Sequence, residues 1–225
     1  DACDRLFSVS IECRRHTVRI TALRLPESLR LELAIGTGGL TINGGALASS
    51  GSARTLANNI TVGGDFILGG LAQSITLNGT VDLGNAVRSA TLSNSATFGG
   101  VISNGGLTVE TSNAARSLTL NGAGSNTYTG LTSVNGGTVT LAKTGGAIAI
   151  AGDLAITTNL SAGTVTLGAG DQIASTRTAT IGTGGTLDLA TFNQSLTGVV
   201  LNGGSINGSG TLTGLTNAFD LRTGS

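Results

Sequence analysis

The sequence predicts an all-β chain wound as a right-handed parallel β-helix, a solenoid with about 20 residues per coil. Three observations predict it. Glycine is abundant, at 37 of 225 residues, while proline occurs once. From Gly36 onward, short segments that alternate apolar and polar residues recur without a change of texture. Those segments also resemble one another, many of them entered through a glycine pair. A repeated strand behind a turn is one unit of a solenoid, because such a unit buries its apolar face only against its neighbours.

Residues 1–35 differ from the rest and form an N-terminal cap or an irregular leader. Residues 1–34 hold six of the twelve Lys and Arg, both cysteines, the only His and the only Pro. Residues 17–25 alternate, with Val18, Ile20 and Ala22 on one face, and residues 29–35 alternate likewise. Pro26 forbids one unbroken central strand between them. A cap would cover the open end of a solenoid, which otherwise invites strand addition. A leader would lie outside the repeats, and both readings stay open.

Residues 36–225 carry the repeats, in two patterns. One is a glycine pair followed by alternation, beginning at Gly38, Gly105, Gly136, Gly145, Gly184 and Gly203, with a near copy from Ala162. The other begins with Arg or Gln, at Arg54, Gln73, Arg88, Arg116, Arg177 and Gln194. Both have the period of two that gives a strand one buried face. The inward set is Leu40 and Ile42, Ile75 and Leu77, Leu107 and Val109, Leu118 and Leu120, Val139 and Leu141, Val165 and Leu167, Leu187 and Leu189. Thr, Ser and Asn take the outward positions, and Gly and Asn take the turns, where φ is often positive. Phe66, Phe98, Phe192 and Phe219 belong in the core. About nine coils at roughly 4.8 Å each make a rod of about 40 Å. A β-sandwich also has many short strands. The glycine content, the scarcity of aromatics and the self-similarity favour the solenoid.

Composition removes several classes. Collagen needs glycine at every third residue with abundant proline. Disorder is disfavoured by 39% hydrophobic residues. Charge is sparse at 11% and sums to zero, so no basic stripe exists to track nucleic acid. No apolar run approaches the roughly 18 residues of a membrane-spanning helix. Residues 1–15 begin with Asp1 and carry mixed charges in place of the apolar core of a signal peptide, so the chain is either not exported or, the reading we favour, a fragment without its export signal. From Arg14 to Ser225 there is no cysteine, compatible with passage through a membrane unfolded.

The motifs that carry chemistry fail in detail. Gly137, Ala142, Lys143 and Thr144 have phosphate-loop spacing, but Ala142 replaces a glycine and residues 148–156 read as strand where a helix is needed. Lys143 is then a solvent-facing residue at a coil corner. Gly36-Thr-Gly38 and Gly182-Thr-Gly184 begin like dinucleotide fingerprints, yet Thr41 and Leu187 stand at the third glycine position. Cys13 and His16, with Cys3, lack a clear fourth ligand beyond Glu12 or Asp4. A bridge between Cys3 and Cys13 is equally open. Asp65, Asp82, Glu110, Asp153, Asp171 and Asp188 are spread one per coil or fewer, whereas glycoside cleavage needs converging acids. The calcium-binding nonapeptide is absent, since Gly184-Gly-Thr-Leu-Asp188 lacks its third glycine and its register. Thr-x-Thr occurs at Thr138/Thr140, Thr164/Thr166, Thr178/Thr180 and Thr211/Thr213. A flat ladder of such pairs binds ice in some solenoids, but it needs one pair per coil in register, which the uneven gaps do not promise. Sugar platforms stack on aromatics, and Tyr128 is the sole tyrosine with no tryptophan.

Residues 121–141 include Asn126-Thr-Tyr-Thr-Gly130 and Val134-Asn-Gly-Gly-Thr-Val-Thr-Leu141. This stretch resembles the passenger-associated strand repeat of bacterial autotransporters. The matching positions are Asn126, Thr127, Tyr128, Thr129, Gly130, Val134, Gly136, Gly137, Thr138, Val139 and Leu141. The stretch departs from the family pattern at Leu131 and Ser133, where glycine and threonine are usual. The resemblance is specific there and diffuse over residues 36–215. It implies a β-helical passenger displayed outside the bacterial cell, acting as a stalk or adhesive surface. With the chemical motifs failing, we expect no enzymatic activity, no cofactor and no metal, and a surface receptor or matrix component as partner. It also implies a C-terminal outer-membrane barrel in the full-length protein; no such barrel is recognisable in this sequence. Two alternatives remain on the same fold, a polysaccharide-degrading enzyme and a glycan- or ice-binding module.

Overall fold

The structure, a computed structural model, describes residues 17–20, 28–31, 38–49, 52–69, 73–159, 161–216 and 219–222. Cys3, Cys13, His16 and Pro26, with the bridge, ligand and strand-break expectations that rest on them, lie outside the described residues.

The described residues form an all-β parallel solenoid of about 8 turns, with about 21 residues per turn and no helix. Two sheets run along it. Sheet I has 13 strands and sheet II has 8, while a further two-stranded sheet joins Gln194–Leu196 to Leu212–Gly214. Parallel neighbours cannot be joined by a tight hairpin. Each strand therefore pairs with the strand one full coil later, which excludes the antiparallel sandwich. At the N-terminal end, Thr17–Ile20 pairs with Gly39–Ile42 and Ser28–Leu31 with Ala46–Ser49, both in parallel.

Sheet II has the cleaner register. It stacks Arg54–Leu56, Ile75–Leu77, Ala96–Phe98, Ser117–Gly122, Gly137–Lys143, Gly163–Leu167, Thr186–Asp188 and Ser205–Asn207 in chain order. Thr55 to Asn207 align rung by rung at intervals of 21, 21, 22, 21, 26, 22 and 19 residues. Sheet I, by contrast, shifts register between Ser103 and Gly105. The 26-residue interval contains an antiparallel bridge between Thr158 and Ala162 at the corner from sheet I to sheet II.

The inward faces of both sheets meet in one core. Every aliphatic residue that the alternation assigns inward is buried, none more than 3% exposed. In sheet II, Ile75, Ala96, Leu118, Val139, Val165 and Leu187 stack in one column. Leu56, Leu77, Phe98, Leu120, Leu141 and Leu167 stack in the next. Each Val, Leu, Ile or Phe side chain among them contributes about 1.5–3 kcal/mol by leaving water. The aromatic expectation holds for Phe66 and Phe98, which are buried, and for Phe192, which packs against the core. It fails for Phe219, which is 44% exposed beside the outermost described strand. There no following coil covers it among the described residues.

The segment beginning at Gly145 is also not the strand its pattern predicts. Gly145 and Gly146 turn with φ of 68° and 78°. Only Ile150 then makes a bridge, to Ile173. The strand resumes at Leu154–Ile156.

Candidate functional site

The motif stretch is where coils are fastened to one another. Asn126 is 3% exposed and serves two neighbours. Its Oδ1 accepts from the Ile102 N–H at 2.9 Å, and its Nδ2 donates to the Ala149 carbonyl at 2.7 Å. One amide thus pairs backbone groups of the preceding and the following coil. An unpaired buried backbone group costs about 1–3 kcal/mol. Asn126→Ala is therefore expected to lower unfolding free energy by about 2 kcal/mol, read from urea denaturation followed by circular dichroism.

Tyr128 points inward and is fully buried, its hydroxyl 2.8 Å from Thr132 Oγ1. Burial pushes the phenol up from 10.0 to about 12, partly offset by that hydrogen bond. The folded state therefore holds the proton more tightly than the unfolded chain. Stability from this group is complete below about pH 10 and falls as pH rises from there toward about 12. Comparing alkaline denaturation of the wild type with Tyr128→Phe isolates it. The stability difference between the two proteins should shift against the wild type across that window and stay flat near neutrality.

The remaining motif residues divide between surface, groove and core. Thr127 and Thr129 are exposed. Thr129 and Gly130 line a shallow open hollow of about 310 Å³ with Asn85, Val87, Gly105 and Gly106. Leu131, at a departure from the family pattern, is 43% exposed. Ser133 lies on the outer side of Thr132–Val134. Val134, Val139 and Leu141 are core. Gly136 lies where the corners of flanking coils meet. Ser161 Oγ donates to the Thr111 carbonyl at 2.8 Å, and a Cβ on Gly136 would strike both groups. Gly137 begins its strand at φ of 69°. Thr138 faces outward.

Lys143 corrects the sequence reading. It is not a solvent-facing corner residue but 1% exposed. Its Nζ donates to the carbonyls of Gly100 at 3.2 Å and Asn121 at 2.9 Å. Gln172 pairs with its backbone on both sides, accepting from the Lys143 N–H and donating to its carbonyl. Burial lowers the ammonium pKa from its usual value. Lys143 ends a strand, and no helix N-terminus follows to cradle a phosphate.

The acids serve as ties between backbone segments. Asp65 accepts from the Ser89 N–H, Asp153 from Thr178 and Asp171 from Ser195, each one coil onward at 2.8–3.0 Å. Asn59 and Asn193 do the same for Thr80 and Thr211. Asp82 accepts from the Gly84 N–H and from Asn104, and Asp188 from the Ala190 N–H. Glu110 accepts from Asn135 at 3.4 Å. No three His, Cys, Asp or Glu residues gather as a metal site among the described residues.

The outer face of sheet II holds an array only partly visible in the sequence. Thr55, Thr76, Thr97, Thr119, Thr140 and Thr166 form one outward column. Two residues earlier, Ser117, Thr138, Thr164, Thr186 and Ser205 form a second. Ser74 and Ser95 extend it, since each precedes one of the paired residues Ile75 and Ala96. Of the Thr-x-Thr pairs, Thr138/Thr140 and Thr164/Thr166 belong here. Thr178/Thr180 lies in sheet I, and Thr213 in the two-stranded sheet. The missed members are Ser-x-Thr pairs. The readable signal was a hydroxyl two residues before each outward threonine from Thr76 to Thr166.

No protein-family model, curated protein or solved structure matches this chain. The class that the fold and its fastenings define is the parallel β-solenoid.

Proposed function

We propose that the chain is part of the passenger of a bacterial autotransporter, a β-helical stalk or adhesive surface outside the cell. The observation that carries this reading is the work done by the stretch that resembles the passenger-associated repeat. Asn126 binds two adjacent coils, Tyr128 seals the core between them, and Gly136 makes room for the bond between the corners at Thr111 and Ser161. A rod that gains stability coil by coil suits display at a distance from a membrane. The lack of cysteine beyond Cys13 supports export, because the unfolded chain cannot be locked in transit. Six of the acids are committed to backbone or amide ties, which favours a non-enzymatic stalk over a polysaccharide-cleaving enzyme. The partner is a surface receptor or matrix component, and the barrel that would anchor the passenger belongs to the full-length protein.

The test is location. Antibody raised against this chain is expected to label intact cells of the organism that makes it, and added protease is expected to remove the label. Labelling confined to permeabilised cells would overturn the proposal.

A further inference from the structure

Sheet II presents two straight columns of hydroxyls, spaced by the rung repeat along the solenoid and by two residues across it. Rungs of a sheet lie about 4.7–4.9 Å apart, and alternate residues of a strand about 6.6 Å apart. In water, hydrogen bonds of about 2.75 Å meet at the tetrahedral angle. That geometry puts second-neighbour oxygens about 4.5 Å apart, and stacked layers of the hexagonal solid repeat at about 7.3 Å. Both mismatches are near a tenth or less. Over the five intervals from Thr55 to Thr166 the drift along the axis is about 1.5 Å, under half a repeat.

The chemistry of the face agrees with the spacing. From Thr76 to Thr166 neither column carries a charge, which would hold a hydration shell of its own. None of the hydroxyls of Thr76, Thr97, Thr119, Thr140 and Thr166 has an intramolecular partner among the described residues, so each is free to bond outward. Thr157, Thr158 and Thr197, off this face, each bond a neighbouring coil, and within the second column Ser117 Oγ donates to Ser95 Oγ at 3.1 Å. Strand preference alone would place threonine on both sheets. The matching outer column of sheet I instead reads Ser89, Thr108, Ser133, Ala155, Thr180 and Val200. The threonine methyls add an apolar floor between the hydroxyls, and the sheet fixes the array before anything binds, so little entropy is lost on contact.

We propose that the outer face of sheet II binds crystalline water, adsorbing to ice through the paired Ser/Thr columns. This rests on sheet register and stands apart from the export reading, which concerns where the chain resides.

The experiment compares the purified 225-residue chain with variants, observing single ice crystals under controlled cooling and scoring recrystallisation in frozen sucrose. The wild type is expected to facet growing crystals and to suppress recrystallisation. Thr119→Lys with Thr140→Lys should lose both effects while keeping the wild-type circular dichroism spectrum. Ser133→Lys, on the outer column of sheet I, should keep both. If the lysine pair unfolds the chain, Thr119→Val with Thr140→Val removes the same hydroxyls while keeping β-branched shape, and should weaken both effects. Unfaceted crystals with the wild type would overturn the proposal. So would ice activity unchanged by a folded Thr119/Thr140 variant, or loss on Ser133→Lys alone.

Discussion

Leu120→Asp and Val139→Asp are each expected to unfold the solenoid, at a cost above about 4 kcal/mol. Both side chains are fully buried. Leu120 stacks between Phe98 and Leu141, and Val139 between Leu118 and Val165. A carboxylate at either point has apolar neighbours above and below and no charge to pair with. It must stay charged without solvent or take up a proton, and both outcomes subtract from stability. The matched control is Thr140→Asp, one residue along the same strand, where the side chain faces out. Urea denaturation should show collapse of the midpoint for the first two and a small change for the third. Equal tolerance of all three would reject the inward assignment.

Gly100→Ala is expected to cost about 3 kcal/mol, at the upper end of overpacking effects. A Cβ there would drive into the carbonyl oxygen of Gly79, one coil below, with the carbonyl carbon at only 2.5 Å. Both obstacles are backbone, so relief requires prising two coils apart. Gly145→Ala separates this from conformational strain. Gly145 has φ of 68° and nothing within 4 Å of an added Cβ. Its cost should be the left-handed penalty alone, about 1 kcal/mol. Thermal melting of the two variants should rank them in that order. A reversed order would mean that coil spacing relaxes more readily than a single backbone angle.

The buried rows were legible because alternation is a local property. Leu118 and Leu120 declare their side within one strand, whatever lies above them. Lys143 was not legible, because its acceptors belong to other coils, Gly100 being 43 residues away in sequence. A lysine after a strand reads as a corner until those carbonyls arrive. Phe219 erred the other way, since its pattern says core but no later coil covers it among the described residues. Nor do the two sequence patterns mark the two sheets. The copies from Arg54 and Arg116 lead into sheet II, and the copy from Arg177 into sheet I. The glycine-pair copies at Gly38 and Gly105 lie in sheet I, and those at Gly136 and Gly184 in sheet II. Each pattern encodes a strand with a turn, and only stacking decides which wall it joins. The hydroxyl array stayed hidden for the same reason, since uneven intervals in the chain become even rungs once the excess residues leave the sheet.

That excess has one address. Thr140 and Thr166 sit on adjacent rungs although 26 residues separate them, and the small bridge between Thr158 and Ala162 marks where the surplus is set aside. Growth at that elbow is sideways, like a branch from a trunk whose rings remain unbroken. The rungs on either side keep their register across it, so chain length can vary at this elbow while the order of the stack is preserved.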